Sequence, residues 1–209
     1  ALGFSALETQ NFTTATDAYN VAVGYQAGND ITTGIQNTII GGLAGDALTT
    51  GSYNIAIGKD TLGSDTLGSK SVALGNGNLF SQNFTTATDA YNVAVGHQAG
   101  LSVTTGIENV LIGGIAGDAL TDGDKNVAVG TAALGSDTRG NFSTAIGHGT
   151  LNSQNTTNDT DMYNTAVGYL AGTAVTTGIH NTLIGSNAGD ALTDADTNVA
   201  VGSSALTTD

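Results

Sequence analysis

The sequence predicts an all-β chain: a parallel β-solenoid, or β-roll, built as a single repetitive segment over residues 1–209. Three observations predict it: a motif that returns every 17 or 21 residues, a composition rich in Gly, Thr, Val and Asn, and the absence of Pro. The motif, Asn or Ser followed by x-apolar-aliphatic-Gly, ends at Gly24, Gly41, Gly58, Gly75, Gly96, Gly113, Gly130, Gly147, Gly168, Gly185 and Gly202, and its last residues also open the chain at Leu2-Gly3. Its spacings run 21, 17, 17, 17 and then begin again, so four units make a 72-residue super-repeat and the chain divides into 1–72, 73–144 and 145–209. A unit this short cannot hold two helices and a turn, and its residue types favour strands and corners. Pro is missing because nearly every backbone N–H is wanted in a ladder.

Each unit carries a strand ahead of its Gly. The residue before the Gly is aliphatic throughout (Val23, Ile40, Ile57, Leu74 and on), and the one before that is Ala, or Ile39, Leu111 and Leu183 once per super-repeat. Neighbours along a strand point to opposite faces, so a strand apolar at both positions is buried on both sides. The aliphatic column is assigned to the coil interior. The column Ala22, Ile39, Ala56, Ala73, Ala94, Leu111, Ala128 and Ala145 is assigned to an oligomer interface, because Ala allows two backbones to come close.

Corners follow. Gly24, Gly41, Gly58, Gly96, Gly113 and Gly130 mark one, and Asn20, Asn37, Asn54 and Asn92, four residues earlier, stack into an amide ladder that satisfies its backbone. A second corner, at positive φ, is expected seven residues before the motif Gly, at Gly34, Gly51, Gly68, Gly106, Gly123, Gly140 and Gly178. Two short strands and two corners per coil, over about twelve coils at ~4.8 Å, give a rod of about 55 Å. The four extra residues of every fourth coil fall around Thr9–Phe12, Ser81–Phe84 and Ser153–Thr156 and form a row of loops. The phase of the repeat at either end predicts further coils or other domains beyond it.

Eighteen acidic side chains stand against four basic ones, a net charge of −14. The scattered Lys59, Lys70, Lys125 and Arg139 give no footprint for nucleic acid or an anionic membrane. No apolar run approaches the ~20 residues of a membrane span. There is no Cys, which excludes disulfides and thiolate metal sites and fits an extracellular product.

No catalytic constellation is visible, and the chain is read as a non-enzyme without cofactor. His97 and His148 share a column but lie three coils, ~14 Å, apart, too far to share a metal. Asp46, Asp118 and Asp190 recur in Ala-Gly-Asp-Ala-Leu-Thr; calcium is the sharper reading of them and a solvated acidic edge the plainer one. The column Thr32, Thr49, Thr66, Thr104, Thr121, Thr138, Thr176 and Thr193 is read as a structural ladder, with ice binding as its rival. Phe12, Phe84, Tyr19, Tyr91 and Tyr163 are the candidates for ligand-facing loops, where aromatic rings can stack on a glycan or simply pack locally.

With Asn20-Val-Ala-Val-Gly24, Asn54-Ile-Ala-Ile-Gly58 and Ser71-Val-Ala-Leu-Gly75 written out, the chain resembles the head repeats of trimeric autotransporter adhesins. It is also similar to bacteriophage tail-fibre repeats of the Asn-Thr-Ala-Val-Gly-Tyr type, best matched at Asn164–Gly172. The resemblance covers essentially all 209 residues and implies a left-handed roll, three chains about a common axis, and an adhesive or shaft role. It departs from the adhesin heads in its longer unit and its four-coil super-repeat. The expectation is therefore a structural fibre or adhesin segment, extracellular, on a cell surface or on a virion. It would associate with itself as a homotrimer and meet a host-surface glycan or receptor. The alternatives are a ligand-binding solenoid, for glycan or ice, and a subunit of a head-to-tail filament.

Overall fold

The structure, a computed structural model, describes residues 1–207 and contains strands, bends and turns with no helix among them. Eleven three- to five-residue strands, from Val21–Val23 to Val199–Val201, pair in strict sequence order into one parallel sheet. Leu2 adds a bridge to Val23 below the first strand. The register is the one the repeat dictates: Ala22 pairs with Ile39, Ile39 with Ala56, Ala56 with Ala73, and Gly75 with Gly96 across the longer coil. The parallel β-solenoid is therefore what the sequence folds into. Its second strand, expected in every coil, forms only beside the long coils, where Gly68–Ser69 pairs with Thr88–Asp89 and Gly140–Asn141 with Thr160–Asp161.

Which side of the strand is inside differs from the expectation. The Ala column is the interior: Ala22, Ile39, Ala56, Ala73, Ala94, Leu111, Ala128 and Ala145 are all buried within their own coil. They cannot face a partner chain. The aliphatic column ahead of each Gly stands on the outer face, with Ile112, Ile146 and Ile184 exposed. Space explains the inversion, since the coil is too thin for branched side chains at every inward strand position.

The same economy of space explains the four-coil period. Two coils carry Gly four residues past the motif Gly (Gly28 and Gly45) and a large residue seven past it (Ile31 and Leu48). The next two reverse this, with buried Leu62 and Leu79 at the first position and the polar Asp65 and Gln82 at the second. Gly100 and Gly117 then Leu134 and Leu151 repeat the exchange. A Cβ on Gly100 would lie 2.7 Å from Leu111 Cδ1 and 3.0 Å from Leu79 Cδ2, so the larger side chains of adjacent coils occupy the room that glycine leaves.

The motif glycines turn at φ between 128° and 143°. The glycines seven residues earlier do not adopt positive φ. They are required by close approach instead: a Cβ on Gly34 would meet Gly51 O at 2.3 Å, and one on Gly68 would meet the Asp65 carboxylate at 2.1 Å. One left-handed corner sits two residues later, at Tyr19, Gln36, Tyr53, Lys70, Tyr91 and their successors with φ 49° to 63°, and another follows the motif Gly at Gln26, Leu43, Asp60 and their successors.

Asparagine closes the first of these corners by a ladder between side chain and backbone. Asn37 Nδ2 donates to Gly51 O at 2.9 Å, and its Oδ1 accepts from Asn54 N–H at 2.9 Å. The pattern repeats at Asn54, Asn109 and Asn126. Each buried amide thus satisfies two backbone groups of the next coil, which burial makes obligatory.

Replacing Gly96 by Ala is expected to cost more than about 2 kcal/mol, because its φ of 143° and the Gly113 carbonyl 2.3 Å from the new Cβ both oppose it. Gly114→Ala, with nothing within 4 Å of the added carbon, should be close to neutral. Urea unfolding of the two variants against the parent checks the contrast.

Candidate functional site

The outer face of the eleven-stranded sheet is lined by apolar and threonine side chains along its whole length. Two outward ranks run its length: Val21, Thr38, Ile55, Val72, Val93 and on to Val199, and Val23, Ile40, Ile57, Leu74, Val95 and on to Val201. They flank the buried Ala column at the two outward positions of each strand, as the period-two alternation requires. None of the 18 acidic side chains lies on either rank, and no basic one does. In the sequence, the signal was the β-branched residue three before each Gly, which shares its parity with the residue just before the Gly.

Aromatic and basic side chains edge this face. One row is the left-handed corner column, where Phe142, Tyr163 and His180 stack at 5.1 Å between successive rings and Lys70 and Lys125 lie over Tyr91 and Phe142. Phe4 and Tyr25, and His148 and Tyr169, stack in a second row just past the motif Gly. Rings one coil apart and nearly parallel cover one another's faces. Tyr163 has both faces occupied, so it offers a sugar ring only its edge and hydroxyl. Tyr19 and Tyr91 are likewise exposed. Lys70 reaches Asp89 at 2.6 Å and the Tyr91 hydroxyl at 3.0 Å, and the Asp89 carboxylate, with Tyr91 second, holds its ammonium above the ordinary lysine range.

Phe84, expected in a ligand-facing loop, is 5% exposed and packs inward; its successors Thr85, Thr86 and Ala87 form the exposed loop. The extra residues therefore emerge slightly later in the chain than expected. Phe12 is half-buried at the equivalent place. The threonine hydroxyls are committed to the structure: Thr49 donates to Thr66 O at 2.9 Å, Thr104 to Thr121 O at 3.0 Å and Thr121 to Thr138 O at 2.9 Å. Asp46, Asp118 and Asp190 are half-buried and stand four coils apart. Among the described residues no three His, Asp or Glu side chains come close enough to hold a metal ion, and no pocket is present.

Sequence reasoning missed two buried acid networks. Asp65 is fully buried; its Oδ1 accepts from Gly68 N–H at 2.9 Å and its Oδ2 from Gln82 Nε2 at 2.6 Å. Gln82 also donates to Ser71 Oγ and accepts from Asn92 Nδ2 at 2.9 Å, tying the long coil to both neighbours. Asp137, Gln154, Ser143 and Asn164 repeat the arrangement one super-repeat later. Burial pushes both carboxyls up, against the hydrogen bonds from glutamine and backbone that hold them down. Burial also raises Asp46, Asp118 and Asp124. A signal existed in the Ser that replaces the ladder Asn at Ser71 and Ser143, each paired with a Gln eleven residues on.

Gln82→Ala is expected to destabilise the chain by about 1–3 kcal/mol, since it strips Asp65 of its shortest donor and leaves buried polar atoms unpaired. Chemical denaturation reads this directly. A carboxyl whose folded pKa lies above its unfolded value of 3.8 binds protons more readily in the fold. These five groups therefore add stability as pH falls through their raised values toward 3.8, and withdraw it as pH rises again. The melting temperature should be higher at pH 5 than at pH 7.5, the reverse of ordinary acid denaturation, and calorimetry across that range tests it.

Compared with known proteins, the chain matches no family model, no curated protein and no solved structure.

Proposed function

We propose that this chain is a structural segment of a fibre or adhesin, of the kind its repeats resemble, and that copies associate through the outer face of the long sheet. It would act outside a cell or on a virion, as a stiff, non-catalytic spacer that carries loops along its side. The observation that supports this reading is the pair of uncharged, β-branched ranks along eleven strands, on a molecule whose net charge is −14. Exposed apolar patches of such extent mark interaction sites. At ~4.8 Å per strand and ~14 Å across the two ranks and their edges, the face offers about 700 Å², close to the ~800 Å² per partner of a standard interface.

A second copy is the partner this surface suits. Uncharged ranks of Val, Ile and Thr place no like charges opposite one another at the centre of such a contact, although each chain carries a net charge of −14. Edge threonine hydroxyls already bonded to the next coil leave little for an ice lattice, and Tyr163, stacked on both faces, leaves little for a sugar, whereas the exposed Tyr19 is open to one and keeps glycan binding as the second reading.

Sedimentation equilibrium should give a discrete trimer, three times the 20.7 kDa chain mass. Ile112→Lys combined with Val129→Lys places charge at the centre of the face and should return it to monomer with its β circular dichroism intact. A monodisperse monomer of the unsubstituted chain at ~100 μM, far above the Kd of a specific interface of this size, would overturn the reading. A mass that climbs with concentration would point to the open filament instead.

A further inference from the structure

The same three-residue pattern, asparagine, any residue, threonine, stands where the loop of each super-repeat's long coil leaves the wall, at Asn11-Phe12-Thr13, Asn83-Phe84-Thr85 and Asn155-Thr156-Thr157, with an exposed asparagine and threonine and, at Phe84 and Thr156, a buried middle residue. The middle residue changes in the third copy and the outer two do not. Asn-x-Ser/Thr is the acceptor pattern for asparagine-linked glycosylation when it lies on an accessible loop. The nine asparagines of the structural ladder never meet it. Two residues after each of them comes the inward Ala, Ile or Leu of the strand, so no hydroxyl can stand there.

Local geometry leaves the reacting atom free. Asn83 occupies the rung of the threonine column in its coil, where its Oδ1 accepts from Thr66 Oγ1 at 3.1 Å; Asn155 does the same with Thr138 at 3.0 Å. Their backbone N–H groups are fixed to Thr104 O and Thr176 O. The side-chain carbonyl is thus anchored while Nδ2 donates to nothing among the described residues. Asn11, Asn83 and Asn155 are exposed, as are Thr13, Thr85 and Thr157.

We infer that Asn11, Asn83 and Asn155 are a row of glycan-attachment sites, one per super-repeat and ~19 Å apart along the rod. Each accepts a sugar activated as a diphosphate ester, delivered by an asparagine-directed transferase. Nδ2 attacks the anomeric carbon; the bond from that carbon to the diphosphate oxygen breaks, the diphosphate leaves with the electron pair, and one Nδ2 proton passes to the transferase base. At Asn83 and Asn155 the new C–N bond leaves the Oδ1 hydrogen bond to the threonine hydroxyl in place. This inference does not depend on the fibre reading, since it concerns loops half a coil of chain away from the sheet face.

The chain supplies its own control. Asn141-Phe142-Ser143 has the same pattern, yet Asn141 is 7% exposed, its Oδ1 accepts from Asp124 N–H at 2.7 Å, and its Nδ2 donates to Asp159 at 2.5 Å and Asp161 at 3.2 Å. The test is to incubate the folded full chain in two arms. One holds a soluble transferase with a nucleotide-activated hexose, the other a membrane transferase with a lipid-diphosphate oligosaccharide. Intact mass and peptide mapping follow. Increments are expected at Asn11, Asn83 and Asn155, with Asn158 of Asn158-Asp159-Thr160 scored separately in the peptide map so that its occupancy in place of Asn155 counts against the third site, and with Asn141 unmodified in the fold but modified in its isolated peptide. The arm that reacts, a single hexose or an oligosaccharide, identifies the donor. Thr85→Ala should remove the increment at Asn83 alone. If neither arm modifies the three loops while their isolated peptides are modified, or if Asn141 in the folded chain is occupied as fully as they are, the inference is overturned.

Discussion

The thinness of the coil is the constraint on which the rest depends. Seventeen residues wrapped once leave room inside for one small strand residue, a second small residue beyond the motif Gly, and one larger side chain, and at the corners they bring backbone against backbone so closely that a Cβ on Gly24 would fall 2.4 Å from the next glycine's carbonyl. Alanine is inside because nothing larger fits in every coil, and Ile39, Leu111 and Leu183 enter where the neighbouring corner position is glycine. The branched side chains that would fill the core of a thicker protein are displaced outward, and a stable fold is obtained with an apolar surface as its by-product. Much of the cohesion then comes from ladders, in which each inward asparagine and each edge threonine bonds the coil beyond it.

This explains what could and could not be read in the residues. Period, parallel stacking, register, the glycine corner and the asparagine column are properties of spacing, and spacing is explicit in a sequence. The inside and the outside of the strand are not. Val23 and Ala22 are both apolar, and alternation gives their opposition without its sign; only the cross-section, a three-dimensional quantity, decides that Ala22 is inside. The left-handed corner escaped for a related reason. Tyr, Lys, Phe and Glu occupy it, none with an intrinsic preference for positive φ, and the asparagine ladder that follows imposes the conformation on whichever residue stands there. Phe84 looked like a loop tip because its neighbours are polar, but it turns inward between the coils of its super-repeat.

Charge follows the same geometry. The acidic residues avoid the two central ranks of the sheet face, so the surface left apolar for lack of interior room carries no charge along them. Two carboxylates go the other way, into the interior, at the coils where leucine at the corner has taken the apolar volume and the seventh position has become polar. There each is held by amide donors with no cation beside it, an arrangement that makes the longer coil adhere to its neighbours through directional contacts instead of bulk.

The long coil is thus the place where the solenoid departs from uniformity without breaking its stack. Gln82 and Gln154 clamp it from within, the rung asparagine keeps its place in the outer ladder, and only the three residues that follow Phe84 or Thr156 leave the wall. Because this departure recurs every fourth coil, and lies half a coil of chain from the sheet, material attached to the loops would project at regular intervals without entering the face. A stack built this way separates two surfaces by geometry: one side carries continuous uncharged ranks along the sheet, while the other is polar and interrupted every fourth coil. Neither side constrains the residues of the other, since what joins them is an interior in which alanine, glycine and leucine exchange places.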